Sequence, residues 1–156
     1  MKKKITFGLL ACALALVLGL SACGNTQTTL KVGASPAPHA EILEQVKGKL
    51  AEQGITLEIQ EFNDYIIPNT AVQDGELDAN FFQHLPYLEN FNEKNGTDLV
   101  NAAAIHIEPM GIYPGRVSSL DAIPGGAVIG IPNDPTNEAR ALQFLERQGY
   151  IKIKED

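Results

Sequence analysis

Apolar positions along the chain switch between two periods, and the switches divide it into elements. Leu30–Gly33 is a short extended run, stopped by the proline-rich stretch Ala34–Pro38. From His39 to Gln53 the residues Ile42, Leu43, Val46 and Leu50 recur three and four apart, the spacing of a helix with one apolar face. Gly54 then suits a helix end. Ile55, Leu57 and Ile59 alternate with polar residues, which predicts a second strand reaching Phe62. Tyr65–Gly75 reads as a short helix preceded or kinked by Pro68, and Asp78–Phe82 as a third strand. Pro86 fits the first turn of a helix that runs to the turn signal Asn95-Gly96. The apolar run Leu99–Ile107 predicts a fourth strand, while Met110–Pro124 has no period and reads as a crossover. Ala127–Ile131 predicts a buried strand, and Asp134-Pro135 opens a helix carrying Ala139, Leu142, Phe144 and Leu145 that ends near Gly149. Tyr150–Ile153 is expected to be extended.

Strands alternating with helices predict an α/β fold with mainly parallel strands. A single strand-helix unit after the crossover cannot cover both faces of its own strand. The pattern therefore predicts that the chain is the first part of a longer protein.

The first 23 residues follow a different pattern. Lys2, Lys3 and Lys4 form a basic head, Ile5–Leu20 is apolar, and Leu20-Ser21-Ala22-Cys23 places small residues before a cysteine. This is the layout of a secretory signal, and the apolar run falls short of the roughly 20 residues a spanning helix needs. Leu20–Cys23 resembles a bacterial lipobox. Residues 1–22 are thus expected to be a lipoprotein signal peptide, Cys23 the site of lipid attachment, and residues 23–29 a tether. Two or more acyl chains anchor a protein stably, so the expected location is the outer side of the cytoplasmic membrane, in a periplasm or at a cell surface. Cys12 and Cys23 are the two cysteines, which leaves the mature chain no disulfide and no thiol site.

Charge narrows the classes of partner. Twelve basic residues stand against 19 acidic ones, for a net charge of −7, and three of the lysines lie in the leader. An acidic surface of this kind disfavours nucleic acid and anionic membrane, where basic patches carry the affinity.

Two constellations carry candidate chemistry. In Asn80–Leu88 the extended segment ends near Leu85-Pro86, and Phe82 and His84 share a face of it by the two-residue period. Tyr87 follows in the next turn. Open α/β sheets bind ligands at the carboxyl ends of their strands, so an aromatic, an imidazole and a phenol fit one pocket there. A core phenylalanine beside a solvated loop histidine fits the same residues. In Ile131–Arg140, Asp134 suits an N-cap, Pro135 the first helical position, and Asn137 and Arg140 lie three apart on one face. A helix start with an arginine beside it suits a carboxylate or phosphate; an ordinary capped helix with a surface arginine fits equally. His39, His84 and His106 match no metal-ligand spacing. No Gly-x-Ser-x-Gly elbow or phosphate loop occurs. A hydrolase built on His84 or His106 lacks a visible nucleophile, so no enzyme, no cofactor and no metal are expected.

Four segments together resemble one family. Val32–Leu43, Asp78–Leu88, His106–Tyr113 and Ile131–Arg140 are similar, in order, to segments of the methionine-binding lipoproteins of ABC importers, the NlpA/MetQ family. The resemblance implies a type II periplasmic-binding-protein-like fold, with lobe I at residues 30–112, a crossover hinge at 113–124 and the beginning of lobe II at 125–156. It implies that Tyr65, Phe82 and Tyr87 line the slot for a methionine side chain, that His84 adds a polar contact, and that Asn137 and Arg140 hold the α-carboxylate. Its implied partners are L-methionine or a similar amino acid, an ABC permease, and the membrane through the lipid on Cys23. Members of the family are substantially longer than this chain, which implies a first lobe nearly complete and a second only begun. Another amino acid, a methionine-containing dipeptide, or a surface lipoprotein with an interaction or antigenic role and no transport function remain alternatives.

Overall fold

The computed structural model describes residues 28–154. The apolar run Ile5–Leu20, the lipobox and Cys23 lie outside them. No helix among the described residues is long and apolar enough to cross a membrane. The chain clusters into two compact units, one ending at Phe82 and one starting at Gln83.

The first unit is built on a three-stranded parallel sheet in the order β2-β1-β3, from β1 (Thr28–Ala34), β2 (Ile55–Glu61) and β3 (Ala79–Phe81). β1 is central, pairing along its whole length with β2 and over Val32–Ala34 with Ala79–Phe81. Its last three residues are accordingly buried, and Ala34 has no exposed surface. A turn at Pro36–Ala40, with Ala37 extended inside it and closed by the Ala40 N–H donating to the Ser35 carbonyl at 2.9 Å, leads straight into α1 (Glu41–Ala51), which has no side-chain cap. α1 lies against β2 with Ile42, Leu43 and Leu50 half-buried. α2 (Ile67–Gln73) carries Pro68 in its first turn, where a missing N–H costs nothing. Asp78 then fastens β3 to the centre of the sheet: its carboxylate accepts the Lys31 N–H at 2.7 Å and its own N–H reaches the Lys31 carbonyl at 2.9 Å.

The second unit holds α3 (Leu85–Asn95) and α4 (Pro135–Arg147), which lie against each other. α3 buries Tyr87, Leu88 and Phe91, one stripe at helical spacing. It ends at Gly96, whose φ of 65° is the left-handed conformation expected of a terminating glycine. α4 buries Ala141 and Leu145.

Two expectations from the apolar pattern are overturned: among the described residues, Leu99–Ile107 and Ala127–Ile131 form no strand. Val100, Ile107 and Val128 are 85%, 90% and 99% exposed. An apolar run becomes a strand only when a neighbour takes up its N–H and C=O groups, and no described segment does so here.

Gly33 is closely packed. A Cβ there would lie 2.8 Å from Leu77 Cδ1 and 3.0 Å from Phe62 Cε2. Gly33→Val is expected to cost about 1–3 kcal/mol through overpacking, read as a lowered midpoint in chemical denaturation with the slope unchanged.

Candidate ligand-binding site

In the first unit the carboxyl ends of the three strands finish level, since Ala34 pairs with both Glu61 and Phe81. Two of the expected site residues leave from this edge. Phe82 follows β3 directly and is buried. Tyr65 stands in a turn fixed by Asp64, whose Oδ1 accepts the N–H groups of Ile66 and Ile67, both at 2.8 Å. The structure brings the two rings together, with centroids 5.5 Å apart and planes tilted by 45°. Tyr65 keeps 45% of its surface exposed, so its ring faces solvent while Phe82 lies buried beside it. Two features behind this edge went unrecognised in the sequence. His39 is buried and meets Phe81 edge-on, centroids 4.6 Å apart. Asn69, fully buried, accepts the Asn80 amide at 2.8 Å, and the same amide reaches the Pro68 carbonyl at 3.0 Å. No period or motif announces this amide pair; only its burial reveals it.

The second unit holds the other four expected residues. His84 is extended and caps α3 through its backbone, its carbonyl accepting the N–H groups of Tyr87 and Leu88. Tyr87 is buried and packs toward Phe91, ring centroids 6.4 Å apart. At the start of α4, Asp134 is the N-cap: its carboxylate accepts the Asn137 N–H at 2.9 Å, as the sequence led one to expect. Asn137 and Arg140 are joined, the guanidinium Nη1 donating to the Asn137 Oδ1 at 2.8 Å. Arg140 is exposed and borders an open cleft with Met110, Gln143, Phe144 and Arg147.

Electrostatics tie His84 to the same helix start. Burial, the Arg140 charge beside it and, in the opposite direction, Asp134 leave the imidazole below its ordinary pKa of 6.5. A positive charge next to a cationic guanidinium is disfavoured, so His84 is neutral at neutral pH. Its buried Nε2 has no hydrogen-bond partner among the described residues. Asp134 lies below its ordinary 3.8: burial raises it, but the Asn137 N–H, the Thr136 hydroxyl, the Asn137 amide and His84 together outweigh that. His106, the third histidine, sits 2.9 Å from Glu108 on an exposed irregular segment.

Comparison with known proteins places these residues in a wider group. A sequence model of the NlpA lipoprotein family matches residues 30–156. The chain is 41% identical over 159 residues to the methionine-binding lipoprotein MetQ of Bacillus subtilis, covering 97% of this chain and 57% of MetQ. It matches the crystal structure of lipoprotein Tp32 from Treponema pallidum with a TM-score of 0.78 at 42% identity, over 83% of this chain and 54% of Tp32. A nutrient-binding protein from Burkholderia cenocepacia, solved bound to methionine, gives a TM-score of 0.73 at 43% identity, over 80% and 52%. The α/β fold with its parallel sheet is therefore one that solved substrate-binding proteins share. The chain spans a little over half the length of these relatives.

The depressed pKa of His84 sets a pH dependence. In the window below 6.5 the unfolded chain binds the proton that the folded site refuses, so the contribution of His84 to stability is full above 6.5 and is lost as pH falls through the folded value. Thermal melts of the wild type should decline over that window, and His84→Gln should flatten the decline. An imidazole that titrates above 6.5 by NMR would contradict this.

Proposed function

The chain belongs to the NlpA lipoprotein family, and on that premise we propose that it serves as the lipid-anchored solute-binding component of an ABC amino-acid importer, capturing methionine outside the cytoplasmic membrane for delivery to a permease. The observation that carries this reading is the pairing of Arg140 with Asn137 at the start of α4. Among the described residues the guanidinium makes that one hydrogen bond, which leaves most of its planar fork for an α-carboxylate. The dipole of the 13-residue helix favours negative charge at the same end. A neutral His84 then adds a polar contact without competing for the carboxylate or repelling a ligand ammonium group.

The aromatic pair of Tyr65 and Phe82 supplies what a thioether prefers, at about 0.3–1.5 kcal/mol per sulfur-ring contact. Binding of this kind needs no covalent chemistry, cofactor or metal. L-Methionine is the ligand proposed first, although a hydrophobic slot separates neighbours by only about 1–3 kcal/mol per methylene.

Calorimetric titration with L-methionine, D-methionine and norleucine tests the ligand class. Arg140→Ala is expected to weaken methionine binding by about ten-fold to over a hundred-fold, equivalent to about 1.5–3 kcal/mol; unchanged affinity would remove Arg140 from the site. The anchor is tested separately. Mass spectrometry of the membrane fraction should find an acylated mature chain starting at Cys23, and Cys23→Ser should abolish the acylation; an unmodified Cys23 in membrane-bound protein would sink that part of the reading.

A further inference from the structure

Asp134 uses both of its carboxylate oxygens, and only one of them is needed to cap a helix. Oδ1 does the capping, accepting the Asn137 N–H at 2.9 Å and the Thr136 hydroxyl at 2.7 Å. Oδ2 accepts the Asn137 side-chain amide, Nδ2, at 3.0 Å. The other end of that amide, Oδ1, accepts Arg140 Nη1 at 2.8 Å. The four groups form a line in which every donor meets an acceptor: carboxylate, amide N–H, amide oxygen, guanidinium.

An asparagine amide has two nearly isosteric orientations, and its neighbours decide between them. Here the choice is forced at both ends. Turned over, Asn137 would set its oxygen against the Asp134 carboxylate and its N–H groups against the guanidinium of Arg140. Both contacts would be repulsive. The carboxylate thereby fixes the amide, and the amide fixes one N–H of a long and otherwise exposed side chain that has rotamer freedom to lose.

We propose that Asp134 is a positioning residue for ligand binding: acting through the Asn137 amide, it holds the Arg140 guanidinium in the direction from which it grips the ligand carboxylate. The inference rests on the reading of Arg140 as a carboxylate receptor given above. It assigns to a residue that touches no ligand a share of the affinity, because a pre-aligned arginine loses less freedom on binding.

Asp134→Ser separates the two jobs of the side chain. A serine hydroxyl still accepts the Asn137 N–H and caps the helix about as well as aspartate, but it has no second oxygen for the Asn137 amide. The expected result is a melting temperature close to wild type with methionine affinity lowered by about five- to twenty-fold. Asp134→Asn should be at least as damaging, because the amide it introduces competes to turn Asn137 over. In an Arg140→Ala background Asp134→Ser should cost no further affinity, the non-additivity of a shared pathway. NMR relaxation of the Arg140 Nε–H in ligand-free protein reads the relay without any ligand: its order should fall in Asp134→Ser. Wild-type affinity together with unchanged Arg140 order in Asp134→Ser would overturn the inference while leaving Arg140 in the site. Arg140→Ala with unchanged affinity would overturn the functional reading itself, and this inference with it.

Discussion

The central position of β1 is the constraint on which the first unit depends. A strand hydrogen-bonded on both sides has its register set twice, once by Ile55–Glu61 and once by Ala79–Phe81. In a parallel sheet the side-chain period is two, so a slip of one residue would exchange the faces that the side chains occupy. Val32, Gly33 and Ala34 leave no room for that slip, since all three are buried and Gly33 already has Leu77 and Phe62 against it. The consequence appears at the carboxyl edge, where the Asp64 turn and the exit of β3 deliver Tyr65 and Phe82 to one another. The aromatic pair is thus a product of strand register as much as of local sequence.

In the second unit the corresponding constraint is the packing of α3 against α4. Leu88 and Phe91 on one helix and Ala141 and Leu145 on the other are buried. This fixes the start of α4 and lets His84, at the head of α3, share an electrostatic environment with Asp134 and Arg140 some fifty residues away. Burial and the Arg140 charge keep the imidazole below its ordinary pKa against the pull of Asp134, and hydrogen bonds from Asn137 and Thr136, with His84, hold the carboxylate down against its own burial.

Legibility in the sequence followed the range of the interactions. The strands at Leu30 and Ile55, the Pro68 and Pro86 helices and the Asp134 cap were readable because each rests on contacts within a few residues. The same is true of Asn137 and Arg140, three apart on one helix. The approach of His84 to Arg140 was visible only through the family resemblance, because no local period encodes a fifty-residue separation. The Asn69–Asn80 pair gave no signal, since a buried amide looks like any other asparagine until its surroundings are known. Leu99–Ile107 and Ala127–Ile131 failed for the complementary reason: β-branched and apolar residues report a tendency to be extended, whereas a strand also requires a neighbour.

The start of β1 at Thr28 has a bearing on how such a protein would search for its transporter. Under the proposed acylation of Cys23, five peptide steps would separate the lipid from the sheet, a leash of at most about 18 Å at full extension. The sheet would then be confined to a thin layer above the bilayer, and an encounter with a membrane-embedded partner would be a two-dimensional one. Confinement of this kind raises the effective concentration of the two components without any new contact between them. A docking surface too weak to hold a soluble protein would suffice, and a weak surface lets an emptied carrier depart quickly.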